Sequence, residues 1–389
     1  MAKSRAASFS FEGAFSASAV AEVASRIRGA LDAPANVGFA FVSPGYLEHV
    51  QEFCEILRVD GHIVDVIGTT AAGNLDGGVE HEGGEGFSVL ALAIPGAGIP
   101  VAALSQDNPG DAAGLGARAG VGKIEGWIAF ANPFTFDVEP WLAGWTPSGS
   151  GIPVVGGLAS GGRSAEECAV FLNGRPVDCV VAGVSAPARL VPVLNQGCRP
   201  IGEPLTVTRA QENVIFALGA RPAYEALESA FETLSDKEKS TARGNLFAGL
   251  AGTEYVDDFR PGDFMVRNIL GADPNSGAVV IGGIPRVGQT VQYQLRDALS
   301  AESELNATLR RVSAEWGAPA ASLIFACTGR GKNFFGDGGN DAGSVQKALG
   351  VHPSAGFFCG GEIGPVGRRN CVHSHSLACA ILMESASTP

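Results

Sequence analysis

The chain has 389 residues, enough for two or three domains at roughly 150 residues each. Hydrophobic residues make up 46% and charged residues 17%, a balance that excludes a disordered chain. With 27 basic and 40 acidic residues the formal charge is −13, which argues against nucleic acid and anionic membrane as partners, since both need a positive patch.

Taken in chain order, Val20, Val23, Ile27 and Leu31 recur every three or four residues and predict an amphipathic helix over 18–31. The run Val37–Val42 reads as a strand covered on both faces, because such strands lose polar alternation. A helix over about 46–59 follows, then strands over 63–67 and 87–94 separated by a Gly-rich loop. The same order recurs with a strand over 127–131, a short helix over 137–145, a strand into Gly156-Gly157, and strands near 168–172 and 179–184. It recurs again with a strand over 322–327, a turn at 328–331, a helix over 341–349, a strand over 355–359 into Gly360-Gly361, and a strand over 376–383.

From the end of the first strand to the Gly loop the copies span 42→68, 131→156 and 327→360, or 26, 25 and 33 residues. Such near-equal spacing points to duplication of a strand–helix–strand–Gly-loop–strand unit. The expected fold class is therefore mixed α/β (α+β): two related domains of mixed β-sheet covered by helices. Residues 1–35 are expected to be an N-terminal segment with its helix, 36–186 a first domain, 187–196 a linker, and 197–385 a second domain. Between the second and third copies the pattern changes. A helix opens at Arg221-Pro222, strands at 279–281 and 290–295 flank a Gly-rich turn and read as a hairpin, and a helix covers 301–316.

Gly is the compositional outlier, at 54 residues, and it permits close approach of main chains. Gly120-Val-Gly-Lys123 is followed by Ile124, so the hydroxyl of a phosphate-binding loop is missing, and no dinucleotide fingerprint follows a strand. Cys371-Val-His373-Ser-His375 puts a thiol and two imidazoles on alternate positions, but no second compact pair completes four ligands, so no metal is expected. Cys327 precedes Gly329-Arg330-Gly331, a setting that can acidify a thiol, with His373 and Glu362 as conceivable base and orienting group. The bland alternative is a buried thiol acting as a small hydrophobe. Arg330 and Glu362 each sit in a Gly-dense turn after a buried strand, where ligands of α/β sheets usually bind. They read as ligand contacts or as an internal ion pair bracing two loops.

These residues bring a family resemblance into view. The segments 197–209, 263–273 and 288–297, with Phe325-Ala-Cys-Thr-Gly-Arg-Gly331 and Gly356-Phe-Phe-Cys-Gly-Gly-Glu-Ile-Gly-Pro365, closely resemble the C-terminal domain of the FIST family (F-box and intracellular signal transduction proteins). Gly68-Thr-Thr-Ala-Ala-Gly73 and Pro153-Val-Val-Gly-Gly-Leu-Ala-Ser160 are similar to its N-terminal domain. Ser374 and Ser376 stand where the family more often has Asn and Thr. The resemblance implies a sensory module for a small ligand such as an amino acid, and with about 35 residues ahead of the first domain no F-box or output domain is expected.

The function expected from sequence is thus a non-enzymatic sensor of an amino acid or small carboxylate, signalling to a protein partner. Its candidate ligand contacts are Gly156, Gly157, Ser160, Arg267, Cys327, Gly329, Arg330, Gly331, Gly360, Gly361, Glu362, Gly364 and His373. No catalytic residue and no cofactor are assigned. The alternatives are a cysteine-dependent hydrolase or transferase using Cys327 or Cys359, and an interaction scaffold. No run approaches about 18 apolar residues, Met1–Ala14 lacks a signal-peptide core, and eight Cys without a CxxC pair fit a reducing compartment, so a cytoplasmic location is expected.

Overall fold

The computed structural model describes residues 5–94, 96, 98–145, 151–255, 259, 262–336 and 341–384. Two compact units emerge, residues 1–194 together with 305–389, and residues 195–304.

In chain order, the first copy comprises β1 (Ala6–Glu12), α1 (Ala17–Ala30), β2 (Ala35–Val42), a 3₁₀ turn (Pro44–His49), α2 (Val50–Asp60), β3 (Ile63–Thr70), the hairpin β4 (Gly73–Asp76) and β5 (Val79–Glu82), and β6 (Gly86–Leu92). The second has β7 (Val101–Leu104), α3 (Ala112–Arg118), β8 (Ile124–Ala131), α4 (Val138–Trp145), β9 (Val154–Leu158), the hairpin β10 (Val170–Leu172) and β11 (Arg175–Val177), and β12 (Cys179–Ser185). Residues 188–195, expected to be a linker, instead form β13 (Ala188–Asn195). Apolar residues alternate inward along it, and the strand joins a sheet.

The second unit holds β14 (Cys198–Pro200), β15 (Leu205–Gln211), β16 (Val214–Leu218), β17 (Arg221–Pro222), α5 (Ala223–Glu232), α6 (Asp236–Thr241), β18 (Leu246–Ala251), β19 (Phe264–Asp273), β20 (Ala278–Ile281) and β21 (Thr290–Arg296). Six of these strands pair in the order β21-β15-β16-β20-β19-β18, and β18 returns to β21, closing a ring. The hairpin expected between 279–281 and 290–295 does not form. β20 pairs with β16 and β19, and β21 with β15 and β18, because ring closure separates them. Val207, Ile215, Val279, Ile281 and Val291 fill the interior, with α5 packed against it through Ala223, Ala226 and Ala230.

The third copy then resumes with α7 (Ala298–Trp316), β22 (Ala321–Cys327), α8 (Lys332–Phe335), α9 (Asp341–Leu349), β23 (Ser354–Cys359), the hairpin β24 (Glu362–Val366) and β25 (Arg369–His373), and β26 (Leu377–Glu384). It joins the first two copies in one unit, although the barrel precedes it in the sequence.

Each copy builds the middle of its own sheet from one parallel pair and an antiparallel return strand, then gives its hairpin away. The sheets run β1-β6-β2-β3-β10-β11, β7-β12-β8-β9-β24-β25 and β13-β26-β22-β23-β4-β5. The first copy's hairpin thus extends the third sheet, the second copy's the first, and the third copy's the second. This cyclic exchange ties the three copies into one body.

The parallel registers align the copies residue by residue. Ala40 faces Gly68, Ala129 faces Gly156 and Ile324 faces Gly356. A Cβ on any of these glycines would lie 1.8–1.9 Å from the facing carbonyl oxygen, so only glycine fits. The glycine of the third copy that matches Gly68 and Gly156 is therefore Gly356, inside β23, and not Gly360. One residue beyond the facing positions stand Phe41, Phe130 and Phe325, whose ring centroids are 5.4, 5.7 and 6.3 Å apart. These rings form the centre of the main core, where such aromatic pairs add to the gain from burial. Helices cover the outer faces: α1 buries Val20, Val23, Ala24 and Ile27, and α2 buries Val50, Phe53 and Leu57. Among the described residues no helix is long and apolar enough to cross a membrane.

Two glycine substitutions separate close approach from propensity. Gly356→Ala is expected to prevent folding or cost several kcal/mol, on the scale of core overpacking at about 1–3 kcal/mol or more. Gly29→Ala, where a Cβ meets nothing within 4 Å, should leave stability equal or raise it by about 1 kcal/mol. Denaturant midpoints of the two variants check this, and an equal, small effect of both would contradict the reading.

Candidate functional site

The end of each copy's first strand is the natural place to look, and the three ends are built alike. Ser43, Asn132 and Cys327 occupy the same position, one residue past the strand core, and each ties the end to a neighbouring segment. Ser43 Oγ accepts from Gly86 N at 3.1 Å. Asn132 Nδ2 donates to Cys168 O at 3.0 Å. Cys327 Sγ accepts from His375 N at 3.2 Å and Gly329 N at 3.5 Å. Gly86 opens β6 and His375 lies just before β26, the return strands of their copies, so Cys327 caps its strand end as Ser43 does.

Three residues further on the copies diverge. The first has Tyr46, wholly buried, whose hydroxyl donates to Gly13 O at 2.9 Å. The third has Arg330, also wholly buried, which donates through Nε and Nη2 to both oxygens of Asp341 at 2.6 and 2.8 Å. Asp341 stands at the first position of α9, and Arg330 also faces the rings of Phe334 and Phe335 at 5.6 and 5.2 Å. Of the two sequence readings, ligand contact or ion pair with Glu362, the geometry shows a third: a bidentate pair with Asp341. Gly331, with φ 70°, turns the chain beneath the carboxylate of Glu82, which accepts from Lys332 N at 2.7 Å.

Glu362 begins β24 and is fully buried. Its carboxyl accepts from Ser376 N at 2.9 Å and from the thiol of Cys359 at 3.3 Å. Burial drives its pKa up to about 8, so the group is held as a neutral acid. Cys327 and Cys359 lie side by side on adjacent parallel strands. Burial and then Glu362 push the Cys327 thiol up to about 12, and the same causes raise Cys359. A nucleophilic cysteine needs the opposite shift. Glu80, on β5, accepts from Ala342 N at 2.9 Å and is raised by burial to about 7.

The remaining candidates divide into two groups. Gly156, Gly157, Ser160, Gly360, Gly361, Gly364 and His373 gather along the ladder β9–β24–β25. Gly157 faces Glu362, Leu158 N donates to Gly361 O at 2.8 Å, and Gly360 N donates to Leu158 O at 3.0 Å. Ser160 Oγ joins Ala72 N at 2.9 Å to Phe358 O at 2.5 Å. His373 Nε2 contacts Gly364 O at 3.0 Å. Arg267 lies on β19 of the barrel, in the other compact unit, with its side chain against Gly283. No three His, Cys, Asp or Glu groups among the described residues are placed to hold a metal ion.

The second copy differs at the divergent position, where exposed Thr135 replaces the large buried side chains of its sisters. Thr135 lines two cavities, one of about 540 Å³ and one of about 440 Å³. The larger is walled by Phe134, Asp137 and Glu139 with Gln106, and floored by Leu158 and Val372. Asp137 N donates to Gln106 Oε1 at 2.9 Å, holding this loop to the chain before α3. Leu158 and Val372 belong to the same β9–β24–β25 ladder that carries Glu362 and His373 on its opposite face, since side chains alternate along a strand. The sequence reading did not pick out this loop. Its signal, Asn132-Pro133 in register with Ser43-Pro44, becomes visible once the strands are aligned.

With this geometry in hand, residues 36–221 match the FIST N domain and residues 223–365 the FIST C domain, and the chain belongs to the FIST family. FIST domains are associated with sensory roles in signal transduction. The two matches meet at β17 and α5, within the barrel unit. Uncharacterised proteins of Mycobacterium bovis and Mycobacterium tuberculosis are 38% identical over 259 residues, which is 66% of this chain and 67% of theirs. A further Mycobacterium tuberculosis protein shows the same identity over 68% of its length.

The raised carboxyl of Glu362 makes a pH prediction. In the folded protein it keeps its proton up to about pH 8, whereas an ordinary glutamate loses it near 4.5. The stability it supplies is therefore complete below that lower value and is lost as pH rises through the higher one. Thermal unfolding of Glu362→Gln should show a flatter profile than the wild type between about pH 5 and 8. Parallel profiles would remove the neutral acid. Iodoacetamide on native protein should label the half-buried Cys371 and spare Cys327 and Cys359 until the chain unfolds. Rapid modification of Cys327 would restore the nucleophile reading.

Proposed function

We propose that this protein is a small-ligand sensor of signal transduction whose ligand is an amino acid. We assign its site to the 540 Å³ cavity at the end of β8. The observation that carries this is the asymmetry of the three strand ends: two are filled by Tyr46 and by the Arg330–Asp341 pair, and the Thr135 end opens into space. Asp137 and Glu139 suit the ammonium group, and Phe134, Leu158 and Val372 suit an apolar side chain. Acidic walls favour an amine over a free carboxylate, so of the two ligand classes the amino acid is preferred.

The glycine-rich ladder then acts as the transmitting element. Gly157, Gly360 and Gly361 let β9 and β24 approach closely, so a ligand pressing on Leu158 and Val372 bears on the strands that hold Glu362 and His373. Ligand binding would favour one arrangement of the buried hydrogen bonds at Cys327, Cys359, Glu362 and Ser376, a population shift read by a protein partner. The Arg330–Asp341 pair keeps the third copy's end rigid while this happens. All eight cysteines are free thiols, which supports a reducing, cytoplasmic setting. A second, scaffold-only reading has no comparable observation behind it.

Calorimetric titration with the twenty amino acids tests the proposal. At least one should bind, and Asp137→Asn with Glu139→Gln should weaken it about tenfold or more while the circular dichroism is unchanged. Absence of heat from every amino acid at millimolar concentration, on folded protein, would refute it.

A further inference from the structure

The three hairpin exchanges share a topology, but their junctions close differently. Where the first copy's hairpin meets the third sheet, Gly77 N donates to Ser354 O at 3.3 Å, Gln346 Nε2 to Ser354 Oγ at 2.8 Å, and Ser354 N to Ser8 Oγ at 3.1 Å. Where the third copy's hairpin meets the second sheet, Asn370 accepts from Val154 N at 2.9 Å and donates to Ile152 O at 3.0 Å. Side chains fill both junctions. Where the second copy's hairpin meets the first sheet, Asn173 makes the matching contact, accepting from Val66 N at 2.8 Å.

Strand β3, however, begins at Ile63, five residues before its facing glycine, whereas β9 and β23 begin two residues before theirs. Ile63, Val64 and Asp65 therefore run past the hairpin with β2 on one side and, among the described residues, no strand on the other. Peptide groups alternate sides along a strand, so Val64 points its N–H and C=O the same way as Val66, whose own N–H and C=O are both taken by Asn173. The Val64 carbonyl takes Arg58 Nε at 3.1 Å.

A groove of about 960 Å³ follows this edge, between α2 and the tip of the β10–β11 hairpin. Val59 and Val64 are 65% and 58% exposed there. Arg58 and Arg175 line it, exposed, and neither forms an ion pair among the described residues. Glu55 is the one acidic residue on its wall. In a chain of charge −13 this is a local reversal of sign.

We propose that this groove binds an extended polypeptide segment carrying an acidic side chain, added as a new strand along Ile63–Asp65 with the acid between Arg58 and Arg175. Open edges recruit strands through main-chain groups that lack partners, here the Val64 N–H since Arg58 holds the carbonyl, and alternate side chains then set specificity. Here the apolar side chains would meet Val59 and Val64, and the carboxylate the two guanidinium groups. The inference is independent of the amino-acid site.

Random dodecapeptides displayed on phage and selected on the full chain test it. Enriched peptides should combine Asp or Glu with β-branched residues, and a synthetic copy should slow hydrogen exchange at the Val64 amide. Arg58→Glu with Arg175→Glu, both exposed positions, should weaken that peptide about tenfold or more with an unchanged circular dichroism spectrum. The proposal is overturned if no peptide is enriched, if enriched peptides lack acids, if the double variant binds equally well, or if protection falls elsewhere. Competition by millimolar acetate alone, or binding that tracks self-association of the chain, would likewise replace the peptide with a small anion or a second copy.

Discussion

Everything in the larger unit depends on how closely two parallel strands can approach in each copy. Gly68, Gly156 and Gly356 remove the one atom that would collide with the facing carbonyl, and the strands close to contact. That closeness brings Phe41, Phe130 and Phe325, each next to a facing residue, into one aromatic cluster shared by three sheets. A core shared in this way makes the copies cooperative, since none can move its first strand without disturbing the other two. The hairpin exchange adds a second bond of the same kind, because every sheet is completed by a neighbour's chain.

A frame so symmetric makes its exceptions informative. Equivalent positions at the strand ends carry Tyr46, Thr135 and Arg330, and only the smallest of the three leaves space. Equivalent hairpin junctions are closed by the Gln346–Ser354 contacts, by Asn370 and by Asn173, and only beside Arg58 and Arg175 does the strand run on past its junction and leave an open edge. Packing alone would fill all three alike, as close-packed interiors generally do. The open copy at each level is where a binding role is most economical to build.

The buried polar cluster of the third copy has the opposite character. Arg330 and Asp341 satisfy each other at two points, and removing either would strand a charge at a cost of about 3–5 kcal/mol. Glu362 avoids the same penalty by keeping its proton, with Cys359 and Ser376 as donors to it. The thiols beside it stay protonated for the same reason. This group therefore holds two loops to the strand ends and makes the fold sensitive to alkaline pH.

Much of this was legible in the amino-acid order. The apolar runs 37–42, 127–131 and 322–327 and the helical spacing of Val20, Val23 and Ile27 predict elements within a few residues of those found, because burial on both faces or on one stripe leaves a periodic trace. The family motifs and the repeated unit were equally visible. Which copy lends its hairpin to which sheet, the closure of the barrel that separates 279–281 from 290–295, and the choice of Asp341 as the partner of Arg330 were not, since each depends on chain segments far apart in sequence. Glycine at 156 reads from sequence as room for a ligand, and the tertiary structure makes it room for a neighbouring strand. Local sequence set the strands and helices through burial and periodicity. Only their mutual packing decided which strand ends were filled and which were left open, because a cavity is a property of the atoms that fail to reach it.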